Sequence, residues 1–412
     1  MSKVPIGIDV LTAARQRISE VFDFFPKVYL SFSGGKDSAV MFHLAADEAR
    51  KRGIKFGLLI VDLEAQYAHT ISHIRQMIDE YSDCIDLYWV ALPIALRNAV
   101  SVYQPKWMCW DPEAKSVWVR QPDPRSITDP GFFPFFEQGM EFEDFVPKFG
   151  EWYSGGQPTA CLVGIRADES LNRYRTIANS KKKTFGGRCW TTRIWDTCVY
   201  NCYPIYDWRT KDIWTYFGRS GRAYNRLYDL MHQAGLSIHQ QRICQPYGDD
   251  QRKGLWLYHV IEPETWARVV SRVAGANSGA EFVQFNGNAS GQVKISKPDG
   301  HTWQSFSELL LESLPTHMQE HYRNKIHVFL KWYETRGYPN GIPDEADPKE
   351  EAARKAPSWR RIAKMLLRND YWGKGLSFTQ TKHGFFYERY MKRIKEEREA
   401  RAREKLERRI GL

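Results

Sequence analysis

The residues best suited to chemistry form one short run, Ser33-Gly34-Gly35-Lys36-Asp37-Ser38. Two adjacent glycines let backbone N–H groups come close to a ligand and take backbone angles closed to other residues. Two serine hydroxyls add donors, and Lys36 adds a positive charge. Val28 to Phe32, just before the run, reads as a buried strand. Ala39 onward reads as a helix. A helix start presents unpaired N–H groups and the positive end of its dipole, so this strand–turn–helix is a cradle for an anion of phosphate size. Its spacing differs from the G-x-x-x-x-G-K-[ST] loop.

A second group lies far along the chain, in Gly164-Ile165-Arg166-Ala167-Asp168-Glu169-Ser170 with Arg173 beyond it. An arginine at a strand end offers a planar, permanently charged fork to phosphate or sulfate oxygens. Arg166 and Arg173 are the candidate anion clamps, with Arg175 a third. Lys36 and Arg166 are the candidate catalytic groups, acting by electrostatic stabilisation.

Positioning these residues requires a layered scaffold. Residues 1–25 carry a helical pattern (Val10, Leu11, Ala14, Ile18, Val21, Phe22). The helix after the loop runs to about Arg52, with Gly53 ending it. Lys55 to Asp62 is a near-continuous apolar run, as in a parallel strand covered on both faces. Tyr67 to Tyr81 is a second helix, and Ile85 to Leu92 a third strand. This β-α-β-α-β order implies an α/β fold with a doubly wound parallel sheet, whose ligands bind at the carboxyl ends of the strands. Residues 101–158, rich in Pro, Trp and Phe, read as an irregular insertion or lid. Thr159 to Ile165 resumes the pattern as a strand. Thr210 is the expected N-cap of a later helix. A boundary is expected near residue 260, giving 1–260 as the domain that carries the anion cradle and 261–412 as a mostly helical C-terminal appendage. Within the latter, Gln292 to Ser296 reads as a short strand, 303–336 as helix broken near Pro315, Pro339 to Pro357 as a polar linker, and Lys364 to Arg368 and Phe385 to Arg409 as helices.

Composition sets outer limits. The 412 residues are 42% hydrophobic and 26% charged, as in a globular protein with a sizeable core. No run of eighteen apolar residues occurs, so no membrane span is expected. The first twenty-five residues lack the features of a leader, and the expected compartment is the cytoplasm. Seven cysteines scattered through a long chain fit thiols more than disulfides. The net charge of +10 suits anionic ligands or nucleic acid, or simple solubility.

The Ser33–Ser38 run resembles the Ser-Gly-Gly-x-Asp-Ser loop of the PP-loop ATP pyrophosphatases and their relatives, the phosphoadenosine phosphosulfate (PAPS) reductases. Gly164-Ile165-Arg166…Ser170…Arg173 is similar to the reductases' Gly-Leu-Arg-x-x-Gln-Ser…Arg segment. Pro204-Ile205-Tyr206-Asp207-Trp208-Arg209-Thr210-Lys211-Asp212-Ile213-Trp214 resembles their Pro-Leu-x-x-Trp-Thr-x-x-Asp-Val-Trp stretch. Tyr224-Asn225-Arg226-Leu227-Tyr228 looks like their Tyr-Asn-Pro-Leu-His. The matches run in order over about residues 27–245. They imply an adenine nucleotide alpha hydrolase-like fold and a bound adenine nucleotide, ATP or a PAPS-like one. The implied contacts are Ser31, Ser33, Gly34, Gly35, Lys36, Asp37, Ser38, Asp62, Arg166 and Arg173, with the adenine near the backbone of Leu59 to Asp62. Asp37 becomes a candidate Mg²⁺ ligand, and Glu64, in Asp62-Leu63-Glu64 where the family has Asp-Thr-Gly, a candidate for a metal or ribose hydroxyl.

Departures from the pattern bear on the chemistry. The reductases attack sulfate with a C-terminal cysteine, and this chain has none after Cys244. Their iron–sulfur relatives use a Cys-Cys pair and a later Cys-x-x-Cys, where here Cys109 and Cys244 each stand alone. An iron–sulfur cluster is therefore not expected, and reductase activity neither. Cys189, Cys198, Cys202 and Cys244 could build a different site, with spacings poor for zinc. Three readings follow. One is an ATP-binding protein, with cleavage of the α–β bond to adenylate a substrate as its reaction. The second is a sulfur-transfer or modification enzyme acting on nucleic acid. The third is a non-enzymatic nucleotide-sensing regulator or defence component. A weaker resemblance, to phage and bacterial proteins typified by immunoglobulin-binding regulator A, adds a ParB/sulfiredoxin-like protein partner.

Overall fold

The computed structural model describes residues 7–179, 182–194, 196–249, 254–276 and 296–378. The expected strand at Gln292 to Ser296 falls almost wholly outside them, and the helix at Phe385 to Arg409 entirely so.

The α/β body opens with helix α1 (Val10–Phe24) and strand β1 (Lys27–Ser31), followed by α2 (Lys36–Arg52), β2 (Phe56–Val61), α3 (Ala68–Glu80) and β3 (Ile85–Val90). A short hairpin, β4 (Ala95–Arg97) with β5 (Lys106–Met108), begins the insertion, which ends in α4 (Phe142–Ser154). Then come β6 (Thr159–Leu162), α5 (Leu171–Ala178), β7 (Thr191–Arg193), β8 (Val199–Cys202), α6 (Thr210–Ser220), α7 (Leu227–Gln233), α8 (Trp256–Ile261) and α9 (Pro263–Arg272). The six-stranded sheet has the order β3-β2-β1-β6-β8-β7. Five strands are parallel and β7 is antiparallel to β8.

The winding follows from handedness. The chain leaves β1 toward β2 and β3, then returns across β1 to β6. Right-handed crossovers put the connecting helices of the two directions on opposite faces. Alternation along the strands serves both. Val28, Leu30, Leu58 and Ile60 face one core with α1, α2, α3 and α6. Tyr29, Leu59, Cys161 and Val199 face the other, with Phe145 and Phe149 of α4, the insertion and α7–α9. The point where the winding reverses lies between β1 and β6, where ligands of open α/β sheets bind.

Several boundaries differ from those read in the sequence. The insertion is not wholly irregular: Phe142, Phe145, Val146, Phe149 and Trp152 form the apolar stripe of α4, despite Pro147 inside it. The N-cap of α6 is Arg209, whose N–H donates to Asp212 (2.7 Å), and Thr210 is the first helical residue. The apolar core continues beyond residue 260 through Val269, Val273 and Ala276. The stretch 339–357 is ordered rather than a linker, since Glu351 is buried and accepts from Ser358, Arg360 and Lys364. Helices Trp303–Glu312, Thr316–Glu334 and Trp359–Leu367 build a separate small core around Tyr322, Phe329 and Ile362.

Candidate functional site

The loop after β1 is held from three sides. Gly34 has φ +73°, and a Cβ there would meet Thr70 of α3 at 2.8 Å, so the turn needs glycine both for its angle and for contact with α3. The fully buried Asn225 ties the two together, donating to the Gly34 carbonyl and to the Thr70 hydroxyl, each at 3.0 Å. Tyr228 lies beneath. Its hydroxyl accepts the Lys36 N–H at 3.1 Å, and the Lys36 ammonium sits 5.1 Å from its ring centroid. Burial pushes the Tyr228 phenol far up, so it remains a neutral hydroxyl. Within the loop, the Ser33 and Ser38 hydroxyls are 3.1 Å apart, and Ser38 donates to the Gly35 carbonyl at 3.0 Å. Gly35 caps α2 with no side-chain bond. Ser31 ends β1, half-buried.

The segment after β6 closes the other side. A Cβ on Gly164 would lie 2.9 Å from the Asp37 carbonyl carbon and 2.9 Å from the Ser38 nitrogen. That close passage delivers Arg166, whose side chain is 2% exposed, to the loop. Its Nε donates to Asp37 at 2.5 Å and its Nη1 to Thr210 at 3.3 Å. Lys36 Nζ is 3.3 Å from the other Asp37 oxygen. The structure thus brings Lys36, Asp37 and Arg166 into one cluster, two cations about the Asp37 carboxylate, with the more exposed Asp168 3.9 Å from Arg166 Nη1.

Other expected contacts are placed elsewhere. Arg173 lies on α5, 43% exposed, 3.5 Å from Glu169 rather than on the loop. Asp62 is fully buried at the end of β2, where its carboxylate accepts from Trp89 at 2.9 Å, from the Glu64 N–H at 3.0 Å and from Arg120. Its carbonyl accepts the Trp110 indole N–H at 2.7 Å, so the strand end where the adenine was expected is covered by the insertion. Glu64 is neither a solvated carboxylate nor a ribose or metal contact. It is fully buried, with φ 62°, and accepts from the N–H groups of Trp110 (2.7 Å) and Val119 (3.1 Å) and from Arg272 (2.7 Å). Glycine at this position in the resembling family fits that left-handed angle.

Asp37 does not fit a Mg²⁺ ligand here: both of its oxygens face cations, and no three His, Cys, Asp or Glu side chains converge among the described residues. The cysteines are likewise dispersed. Cys202 is in the core, Cys198 lies 3.4 Å from the Ser154 hydroxyl, and Cys189 is exposed near Tyr206. Burial pushes the Cys109 and Cys202 thiols up and the Cys161 thiol up to about 12, which keeps all three protonated and unreactive at neutral pH.

Sequence reasoning passed over Tyr228, Asn225 and Thr70 as parts of the loop's support. The Tyr224–Tyr228 stretch was the available signal for two of them, since it matched a motif whose role spacing alone does not reveal.

The fold and this loop define a PAPS-reductase-type α/β protein, and the chain belongs to that family. The model described as phosphoadenosine phosphosulfate reductase domain matches residues 27–234. Residues 235–341 match a domain of unknown function, DUF3440. Along nearly its whole length the chain is similar to Uncharacterized protein YbdN of Escherichia coli (strain K12), with 46% identity over 399 residues, 96% of this chain and 97% of that one. Among solved structures it is similar to the PAPS reductase of Candida auris in a phosphate complex (12% identity, TM-score 0.28, 56% of this chain and 95% of that one). It is also similar to Candida glabrata FMN adenylyltransferase in complex with FMN and an ATP analogue (12%, TM-score 0.31, 55% and 63%). A third is the U34-tRNA thiolase NcsA of Methanococcus maripaludis with its [4Fe-4S] cluster (11%, TM-score 0.31, 73% and 88%).

Proposed function

We propose that this protein binds an adenine nucleotide, ATP first, with its phosphates on the Ser33–Ser38 loop, and cleaves the α–β bond to transfer adenylate. The observation that carries the reading is the convergence of Lys36 and Arg166 on the start of α2 at the point where the sheet winding reverses. With Asp37 between the two cations and the more exposed Asp168 3.9 Å from Arg166, the cluster balances in formal charge, beside the positive end of a 17-residue helix. A phosphate entering it would share both cations with Asp37. Fixed cations and amides of this kind stabilise charge that develops on a leaving diphosphate. Arg173 joins the reading as an exposed contact at the rim, and Asp62 as a support for the strand end. On the same reading the protein works without an iron–sulfur cluster. A ParB/sulfiredoxin-like partner is part of the proposal on the resemblance alone, and a cytoplasmic setting is a separate part of it. Among the described residues, no helix is long and apolar enough to cross a membrane.

Thermal-shift screening with ATP, PAPS and adenylyl sulfate tests the reading. Stabilisation by at least one of these is expected, since a ligand at 100 times its Kd adds about 2.7 kcal/mol. No response to any of the three would reject it. A second reading, action on nucleic acid, draws on the +10 charge. ATP cleavage that rises on adding RNA or DNA would favour it.

A further inference from the structure

We propose that His69 is the proton acceptor for the group that attacks the nucleotide, and that Glu262, from the segment matching the domain of unknown function, positions it. The proposal rests on the nucleotide reading above. His69 lies in the first turn of α3, next to Thr70, the residue that touches Gly34 and is bonded to Asn225. Its backbone therefore stands on the carboxyl edge of the sheet, one residue along α3 from the threonine packed against the phosphate loop. Its Nδ1 is 2.7 Å from Glu262 Oε1. A carboxylate only accepts, so Nδ1 carries the hydrogen in this pair; the proposed role has Nε2 as the accepting atom.

Glu262 is held firmly enough to fix that orientation. Its side chain is 7% exposed, and it accepts the backbone N–H groups of Ala68 (2.9 Å) and His69 (3.1 Å) and the Thr265 hydroxyl (2.8 Å). The imidazole itself is 43% exposed. A part-exposed histidine oriented by a buried carboxylate, at the sheet edge that carries the loop, has the pairing that a general base uses. Glu262 is the charged group in contact with it. His73, one turn on, packs against Phe32 instead. The pairing also gives the 235–341 region a part in the site, which otherwise lies in residues 27–234.

With water as the attacking group the step balances. The water oxygen bonds to the α-phosphorus, the bond from that phosphorus to the β-bridging oxygen breaks with its electrons leaving on pyrophosphate, and the water proton passes to Nε2. A merely structural role would be confined to capping α3. His69→Asn separates the two, because its amide still donates to Glu262 while the Nε2 base is gone.

The experiment follows AMP and pyrophosphate release from ATP by the full-length protein. His69→Asn is expected to bind ATP as the parent does and to lose roughly 10²-fold or more in kcat, with KM little changed. Added imidazole is expected to restore part of the rate to His69→Gly. In ¹⁵N-edited spectra, the parent's His69 should show a protonated Nδ1 and a bare Nε2, a bias that Glu262→Gln should weaken. A kcat for His69→Asn within threefold of the parent, with ATP still bound, would overturn the role of His69 alone. A parent that fails to bind or cleave ATP would overturn the nucleotide reading and this role with it.

Discussion

Glu64 is the residue whose removal this structure prices most clearly. It is a fully buried carboxylate, paired to an Arg272 guanidinium whose side chain is 6% exposed, and it also satisfies two backbone N–H groups of the insertion. Glu64→Ala leaves Arg272 charged and buried without its partner, and breaking such a pair costs about 3–5 kcal/mol. Each orphaned N–H adds to that if water cannot reach it. The expected loss is therefore at least about 3 kcal/mol, on the order of 10 °C in Tm for a unit of this size. The φ of 62° adds a finer expectation. Glu64→Gly should be less damaging than Glu64→Ala by about 1 kcal/mol, because the left-handed strain is relieved. Urea titration followed by tryptophan fluorescence suits the case, since Trp110 and Trp118 sit in the released segment. Limited proteolysis should cut first within residues 99–141. A Glu64→Ala protein that unfolds within 1 kcal/mol of the parent, with the insertion still protected, would refute the assignment of Glu64 as the insertion's anchor.

Three further outcomes follow from the geometry. Gly164→Ala drives a Cβ into the backbone of Asp37 and Ser38, so it should destabilise by about 1–3 kcal/mol and weaken nucleotide binding together, measured by denaturation and titration calorimetry. Asp37→Asn, which removes the carboxylate shared by Lys36 and Arg166, should leave ATP affinity equal or higher, whereas a metal-ligating Asp37 would make it fall with a loss of Mg²⁺ dependence. Burial lowers His73 to about 4, with neither ring nitrogen bonded, so it is neutral when folded and takes a proton on unfolding below pH 6.5. Its contribution is complete above pH 6.5 and is lost as pH falls toward 4, about 2 kcal/mol by pH 5. His73→Leu should flatten that part of the stability–pH curve, and an unchanged slope would contradict it.

Much of the scaffold was legible because local signals agreed. The apolar runs at Val28–Phe32 and Lys55–Asp62 and the glycine after Arg52 mark β1, β2 and the end of α2 within a residue or two. The strand–turn–helix around the loop was legible from the order of its residues. What surrounds it was not, because Asn225, Tyr228 and Gly164 reach it from more than a hundred residues away. Asp62 and Glu64 show the same limit from the other side: a carboxylate at a strand end reads as a ligand contact until Trp89, Arg120 and Arg272 are seen to claim it. Helix α4 had a clear stripe from Phe142 to Trp152 that the surrounding prolines and aromatics obscured. The stretch 339–357 misled because its acids and prolines suggest a linker, while burial of Glu351 depends on Ser358 and Arg360.

Titration calorimetry of ATP into the parent and into Lys36→Ala tests the central claim most directly. A charge-assisted contact contributes about 1.5–3 kcal/mol, so the account predicts measurable ATP binding by the parent that weakens roughly 10- to 150-fold on losing the lysine. Equal affinity in the two proteins, or no binding by a folded parent, would contradict it.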